Sequence, residues 1–488
     1  MPSSLGGSSR SAAARRRAKA RKQRMKVIGI LVLLVALVIG GVLALARIVT
    51  HVNKNKEEKA AQTATTDGSG STSGEKGAVD YSIIRDGDAQ ISKFFYYGTH
   101  FNFTGTMDYE AEETDAEIET VTARVYATDK VGLSTYTQSV EMDYTLKNDV
   151  LSFQVNEYID EGINLEIIPE GEYIVVMAIT NSNGNTYLYG LEDVSEMDDL
   201  VYYTLTKDGS NNQIDIAPAT MTDENGVEID AFSLTCQACE LPDDVYDIVI
   251  DPGHGTYDGG ASSTDNRLDE NGNNYLERDL VLLYAKELKE ILEGMGYKVI
   301  LTHDGSEGVS GGEWAYWNAF QDGNRVWTAC HAKAKYCVSL HLNSASEMTR
   351  TRGVEVYSCV RAGTRLGALF VENITTMTSM PASGKTGSGL TEIAGLYKYK
   401  SNDDPTSDYL YMIREIGGVV TGAYVHDSEK LGTNAYWQAN YGPEGFLIEM
   451  GYLTDDDNTD IILNEQTEYV TAIATSLDTD IKNMQAGE

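Results

Sequence analysis

The hydrophobic rhythm of the 488-residue chain changes once, near residue 244. That change limits the fold more than any figure of composition. Before it, over 79–243, short runs rich in Tyr, Val, Ile and Thr recur at 93–97, 121–126, 133–140, 173–179, 186–191 and 201–205. Turn clusters such as 181–185 (NSNGN) and 207–212 (KDGSNN) separate them. Short strands at this spacing predict an all-β, sandwich-like domain. Its tyrosines fit ordinary strand packing, with a glycan-binding face as the alternative, and nothing else in the domain marks a site. Beyond residue 244, strand-like and helix-like segments alternate. Strand 247–251 is followed by a loop and a helix over about 275–293. Leu276, Leu280, Leu283, Leu288, Ile291 and Leu292 form the apolar face of that helix, and Gly294 and Gly296 end it. Strand 298–302, helix 325–334 and strands 336–342, 354–359 and 445–450 follow. This order predicts an α/β domain over 244–488, with a mixed, largely parallel sheet flanked by helices.

The N-terminal part is of another kind. Residues 27–46 are twenty in a row without a charge, and as a helix they would span roughly 30 Å, the thickness of a bilayer core. Residues 1–26 are a basic tail, so the positive-inside rule predicts a cytoplasmic N-terminus, a single membrane-spanning helix and a cell-membrane protein with its body outside. A cleaved signal peptide is the competing reading, because Ala44-Leu45-Ala46 has the form of a cleavage site and would release a secreted protein. Residues 47–78 run through a polar Gly/Ser/Thr/Lys tract and read as a flexible linker.

Thirteen of the 38 Lys/Arg fall in residues 1–59, against only Glu57 and Glu58, so the rest of the chain is more acidic than the net charge of −36 suggests. Such a body repels nucleic acid, which is excluded as a partner. The five cysteines, an odd number, leave at least one thiol unpaired in a monomer. The Cys236-Gln-Ala-Cys239 pair reads as a small disulfide or as two inert thiols.

The stretch 250–260, IDPGHGTYDGG, crowds four glycines around His254. Its spacing is not that of a dinucleotide-binding loop, and the glycines are expected to turn the backbone sharply and set His254 on the sheet edge. His341 stands at the end of strand 336–342, Glu449 at the end of strand 445–450, and Glu277 in the first turn of the helix. In an open α/β sheet these positions face one edge. Two imidazoles and a carboxylate suit a catalytic Zn2+ that keeps a position for water. Each histidine alone reads equally as a surface or core residue.

The segments VIDPGHG, LERDLVLLYAKELKEILEGMGYKVILT, SLHLNS, GVEVYS and GFLIEMGYLTDDDNTDIIL resemble, in order and spacing, the zinc-dependent N-acetylmuramoyl-L-alanine amidases of the amidase-3 family. The resemblance covers 246–463. It implies a peptidoglycan hydrolase that cuts the amide between the lactyl group of N-acetylmuramic acid and L-alanine. It further implies one Zn2+ ion held by His254, Glu277 and His341, with Glu449 as the catalytic carboxylate. Asn343 also matches, either orienting a ligand or capping the chain. Thr302-His303, Cys330 and Lys335 depart from the family pattern at positions that are neither metal-binding nor catalytic. The expected partners are the cell wall and, through 27–46, the membrane; a protein regulator is left open. Two alternatives remain: a non-catalytic wall-binding or recruiting module of the same fold, and a zinc peptidase acting on the stem peptide. Residues 361–441 exceed what a minimal member needs and read as decorated surface first, or as a lid or an autoinhibitory segment; His426 there reads first as a solvent histidine and second as one that could approach the metal.

Overall fold

The computed structural model describes residues 83–487 except 110–116, 206–209, 223–225, 306–322, 346–351, 401–407 and 417–439 and positions 134, 157, 227, 256, 257, 324, 386 and 388. The described residues lie within one compact unit, Val79–Glu488. The expected membrane-spanning segment 27–46 and His426 fall outside them, and 361–441, read as decorated surface or a lid, does so in part. No helix among the described residues is long and apolar enough to cross a membrane.

The first half is entirely β. Its strands are β1 (Ile83–Tyr97), β2 (His100–Asp108), β3 (Ile118–Ala127), β4 (Gln138–Lys147), β5 (Val150–Val155) and β6 (Ile163–Asn164). They continue with β7 (Gly171–Asn181), β8 (Thr186–Asp193), β9 (Leu200–Tyr203), β10 (Asn211–Thr222) and β11 (Glu228–Cys239). The sequence predicts a sandwich, and here the structure differs. Strand β8 pairs with both β7 and β1, so the path β1-β2-β5-β4-β3-β7-β8 returns to its start as a barrel-like sheet. Two irregularities in the long β1, between Ile91 and Lys93 and between Ile84 and Asp88, break its register with its neighbours. Such bulges bend a strand and let a sheet curl onto itself. Phe94, Phe101, Phe103 and Phe232 fill the interior.

Cys236 and Cys239 are both free thiols. Three residues apart on β11, they point to opposite faces of the strand and cannot bridge.

The second half is built on a six-stranded sheet. Its strands are β12 (Ile248–Pro252), β13 (Val299–Leu301), β14 (Tyr336–Asn343), β15 (Glu355–Ser358), β16 (Leu396–Tyr397) and β18 (Glu444–Tyr452), in the order β13-β12-β14-β18-β15-β16. Only the β15–β18 pairing is antiparallel, which fits the mixed, largely parallel sheet expected. Helices α1 (Glu277–Gly294), α3 (Arg365–Met377) and α6 (Gln466–Ala486) cover one face. Helices α2 (Arg325–His331) and α4 (Tyr411–Ile416) pack on the other, and α5 (Asp456–Asn464) follows β18.

The two sheets are joined by main chain. The short strand β17 (Tyr441–Gly442) leads into β18, yet it pairs in parallel with Tyr96 and Tyr97 of β1.

Candidate metal centre and active site

Three adjacent parallel strands end at one sheet edge and bring the singled-out residues there. His254 follows β12, His341 lies near the end of β14, and Glu449 stands beside His341 in the register of β18. Glu277 opens α1, which starts at the same edge. Ligand atoms of His254, Glu277 and His341 all lie within 4.8 Å of one another. His254 Nε2 is 2.9 Å and His341 Nδ1 3.2 Å from the same oxygen, Glu277 Oε1. The Glu277 carboxylate is almost fully buried. It is fixed by backbone N–H donors, Ala261 to Oε2 and Leu342 to Oε1, each at 2.7 Å. Asp258 takes the far nitrogen of His254 at 2.8 Å, which leaves Nε2 facing the cluster.

The glycine-rich loop works differently from the expectation. His254 itself takes the left-handed turn, at φ 64°, a conformation that costs a non-glycine residue about 1 kcal/mol or more. The glycines supply room instead. A Cβ on Gly253 would stand 2.3 Å from the His341 ring. One on Gly260 would stand 2.4 Å from Glu277 Oε2 and 2.8 Å from His254 Nε2.

What holds the strained turn was not legible in the sequence. Arg325, at the start of α2, and Asp251, in β12, form a fully buried ion pair at 2.9 Å. The guanidinium also donates to the His254 carbonyl at 2.5 Å. Ser339 and Thr302 each donate to Asp251 at 2.6 Å. Burial alone would raise the Asp251 pKa, but Arg325 and these hydroxyls outweigh it and hold the carboxyl below its ordinary range.

The departures from the family pattern find structural employment here. The His303 Nε2 donates to the Pro252 carbonyl at 2.7 Å, Cys330 donates to the Ile416 carbonyl at 3.0 Å, and Lys335 lies buried over the Tyr202 ring.

Residues 248–479 match the N-acetylmuramoyl-L-alanine amidase family, Amidase_3. That stretch is a little under half of the chain, and it carries His254, Glu277, His341 and Glu449. Among solved structures, the chain is similar to N-acetylmuramoyl-L-alanine amidase AmiC2 of Nostoc punctiforme, at 23% identity over 49% of this chain and 98% of that one, with a TM-score of 0.32. It is also similar to the CwlD amidase of Clostridioides difficile, solved in complex with the GerS lipoprotein. That likeness is 19% identity over 49% of this chain and 98% of that one, with a TM-score of 0.34. No curated protein matches the chain.

Within the cluster of His254, Glu277, His341 and Glu449, charge is tightly coupled. Burial works to lower the His254 pKa, but Glu277 and Asp258 outweigh it and lift it to about 9. The same imidazoles overcome burial at Glu277 and hold that carboxyl far below its ordinary value. Glu449 is partly buried, and its shielded Oε2 accepts no hydrogen bond from the described residues. Burial first, then the charges of Glu277 and Glu355, push its pKa up to about 8 against the pull of His254 and Lys385. Asn343 caps the next residue, accepting from Ser344 N at 2.8 Å, and donates to Glu355 at 3.1 Å.

Proposed function

We propose that the chain is a zinc-dependent N-acetylmuramoyl-L-alanine amidase that hydrolyses the amide between the muramyl lactyl group and L-alanine of the stem peptide. The observation that carries this reading is the convergence of His254, Glu277 and His341 beside a Glu449 oxygen that has no hydrogen-bond partner among the described residues, inside the stretch matched by the amidase family. The donor set suits one Zn2+. Two imidazole nitrogens and one carboxylate oxygen, each anchored by a hydrogen bond or a rigid element, leave a coordination position open. Ligand atoms of a tetrahedral zinc lie roughly 3.3 Å apart, and the 2.9 and 3.2 Å separations here come close to that.

Bound there, zinc would polarise the scissile carbonyl and lower the pKa of the attacking water. The chain supplies the proton traffic. Glu449 takes the proton of the attacking water and delivers it to the leaving amine of alanine, a shuttle that needs hydrogen-bond reach and no metal bond. Burial and the neighbouring carboxylates raise the Glu449 pKa, and the charge of a bound zinc would pull it back toward the ordinary carboxylate range, where the group can accept the water's proton. Asp258 holds the His254 ring, while Arg325 and Asp251 hold its backbone.

Purified protein should release L-alanine amino termini from peptidoglycan and stop when a chelator removes the metal. Glu449→Ala should lower the rate by at least about a hundredfold while zinc content stays at that of the wild type. An unchanged rate in that variant would sink the mechanism. Mass spectrometry of the products separates the zinc-peptidase reading, since cuts within the stem leave lactyl-alanine intact. Binding to the wall without any cut would favour the recruiting module. The basic tail at 1–26 and the apolar run at 27–46 support tethering to the cell membrane with the body outside. Intact-mass measurement of membrane-extracted protein decides between an anchor and a cleaved leader.

A further inference from the structure

The row of side chains does not end at Glu449. Strand β15 runs antiparallel to β18 with Glu355 directly opposite Glu449. The two side chains therefore stand on one face with Cβ atoms about 5 Å apart. His341 is in register with Glu449 on its other side, so His341, Glu449 and Glu355 form a line across three strands. Glu355 is fully buried. It accepts from Asn343 (3.1 Å), Tyr357 OH (2.6 Å), Ser383 (2.8 Å) and Tyr452 OH (2.6 Å), and from Lys385 Nζ at 3.2 Å.

Lys385 is the member of this cluster that reaches solvent, with 40% of its side chain exposed. Its ammonium also donates to Tyr357 OH at 2.8 Å and stands over the rings of Tyr357 and Tyr397 at 5.5 and 5.6 Å. An exposed lysine ordinarily pays rotamer entropy to hold one position; this one is clamped. Lys385 is the cation paired with the Glu355 carboxylate, which four uncharged donors also serve. An ammonium carries three N–H groups, and two of them are spent on Glu355 and Tyr357. The side chain is partly exposed, and its ammonium stands beside the sheet edge that carries Glu355 and Glu449. Zinc held by His254, Glu277 and His341 would itself attract an anionic group of the substrate, and a fixed ammonium at Lys385 adds a second, directional contact beside it.

We propose that Lys385 is a specificity-determining residue that receives a free carboxylate of the stem peptide and so selects stems whose second residue is acidic over those in which that group is a carboxamide. The inference rests on the amidase reading above and deepens it. Rigid clamping by Tyr357 and Glu355 pre-organises the ammonium for that contact.

The test compares two muropeptides that differ only in carboxylate or carboxamide at the second stem residue, cut by the full-length zinc-loaded protein. The wild type should show a KM at least about tenfold lower for the carboxylate, the loss expected when a charge-assisted hydrogen bond is removed, with kcat within about twofold. In Lys385→Met the ratio of the two KM values should fall to about one, and Lys385→Arg should restore most of it. Equal effects of Lys385→Met on both substrates, or loss confined to kcat, would show that Lys385 only supports Glu355, and would overturn the proposal. So would a wild type that does not discriminate. Cleavage of neither substrate by the wild type is a different failure: it removes the amidase reading, and this inference with it.

Discussion

At the residue scale, the site depends on two absent side chains as much as on three present ones. Gly260 lies at φ +64°, and a methyl there would meet both Glu277 and His254. Neither can retreat, because Glu277 is pinned by Ala261 N and Leu342 N, and His254 by Asp258. Gly260→Ala should therefore lower zinc affinity by at least about tenfold, within the range seen when groups supporting metal ligands are changed. The left-handed backbone adds a stability cost of about 1 kcal/mol. Metal content after dialysis against a competing chelator measures the first and urea melts the second. Full zinc retention would show that the loop is looser than its contacts suggest. The convergence of His254, Glu277, His341 and Glu449 on one edge was legible because strand ends and a helix start in a parallel sheet face the same side, while their roles came only from the resemblance. Arg325 and Asp251 were not, since a lone Arg and Asp 74 positions apart carry no pattern until the sheet brings them together.

At the element scale, legibility followed burial. Strands with near-continuous apolar runs, such as β12, β14 and β18, were placed to within a residue or two. Strand β4, read as 133–140, lies instead at Gln138–Lys147, where QSVEMDYTLK is mostly exposed and its polar side chains hide the period. Closure of the barrel was hidden for a related reason: pairing of β8 with β1 is set by bulges, and bulges leave no composition signal. Strand β18 carries a charge of its own at its start. Glu444 is almost fully buried, and burial pushes its pKa up to about 7 despite Arg365 at 3.1 Å. In the unfolded chain the same group titrates near ~4.3. Between those values the folded protein holds a proton that the unfolded chain has released, so stability present at low pH is lost as pH rises to about 7. The loss is roughly 4 kcal/mol at most. Asp408, also raised to about 7 by burial, acts in the same direction. Urea titrations at pH 5 and pH 7.5 should show wild type losing stability across that window and Glu444→Gln losing about 2–3 kcal/mol less. Equal losses in the two proteins would remove Glu444 as a source.

At the scale of the whole molecule, the barrel and the six-stranded sheet behave as parts of one unit, although sequence rhythm divides them at residue 244. Strand β17 completes a pairing with β1, and Gly445 N donates to Tyr97 OH at the head of the strand that bears Glu449. On the same side, Phe95, Tyr97 and Ile159 of the barrel pack with Tyr357, Ile413 and Leu447 of the sheet. Further along, Asn164 donates to the Met484 carbonyl in the last turn of α6 at 2.8 Å. Cutting the chain at 244 would uncover that apolar cluster and leave β17 as an unpaired edge, a combination that promotes aggregation. A fragment of residues 244–488 should therefore be poorly soluble or bind ANS with weak near-ultraviolet dichroism, whereas residues 79–488 should melt in one cooperative transition. The barrel's constraint on β17 also reaches Glu449 seven residues on, so restoring solubility by mutating the exposed cluster should still leave the fragment less active than the longer protein. A soluble 244–488 fragment with full activity and an unchanged Tm would show that the barrel is an appendage and that the continuity from β1 through β17 to β18 has no bearing on the site.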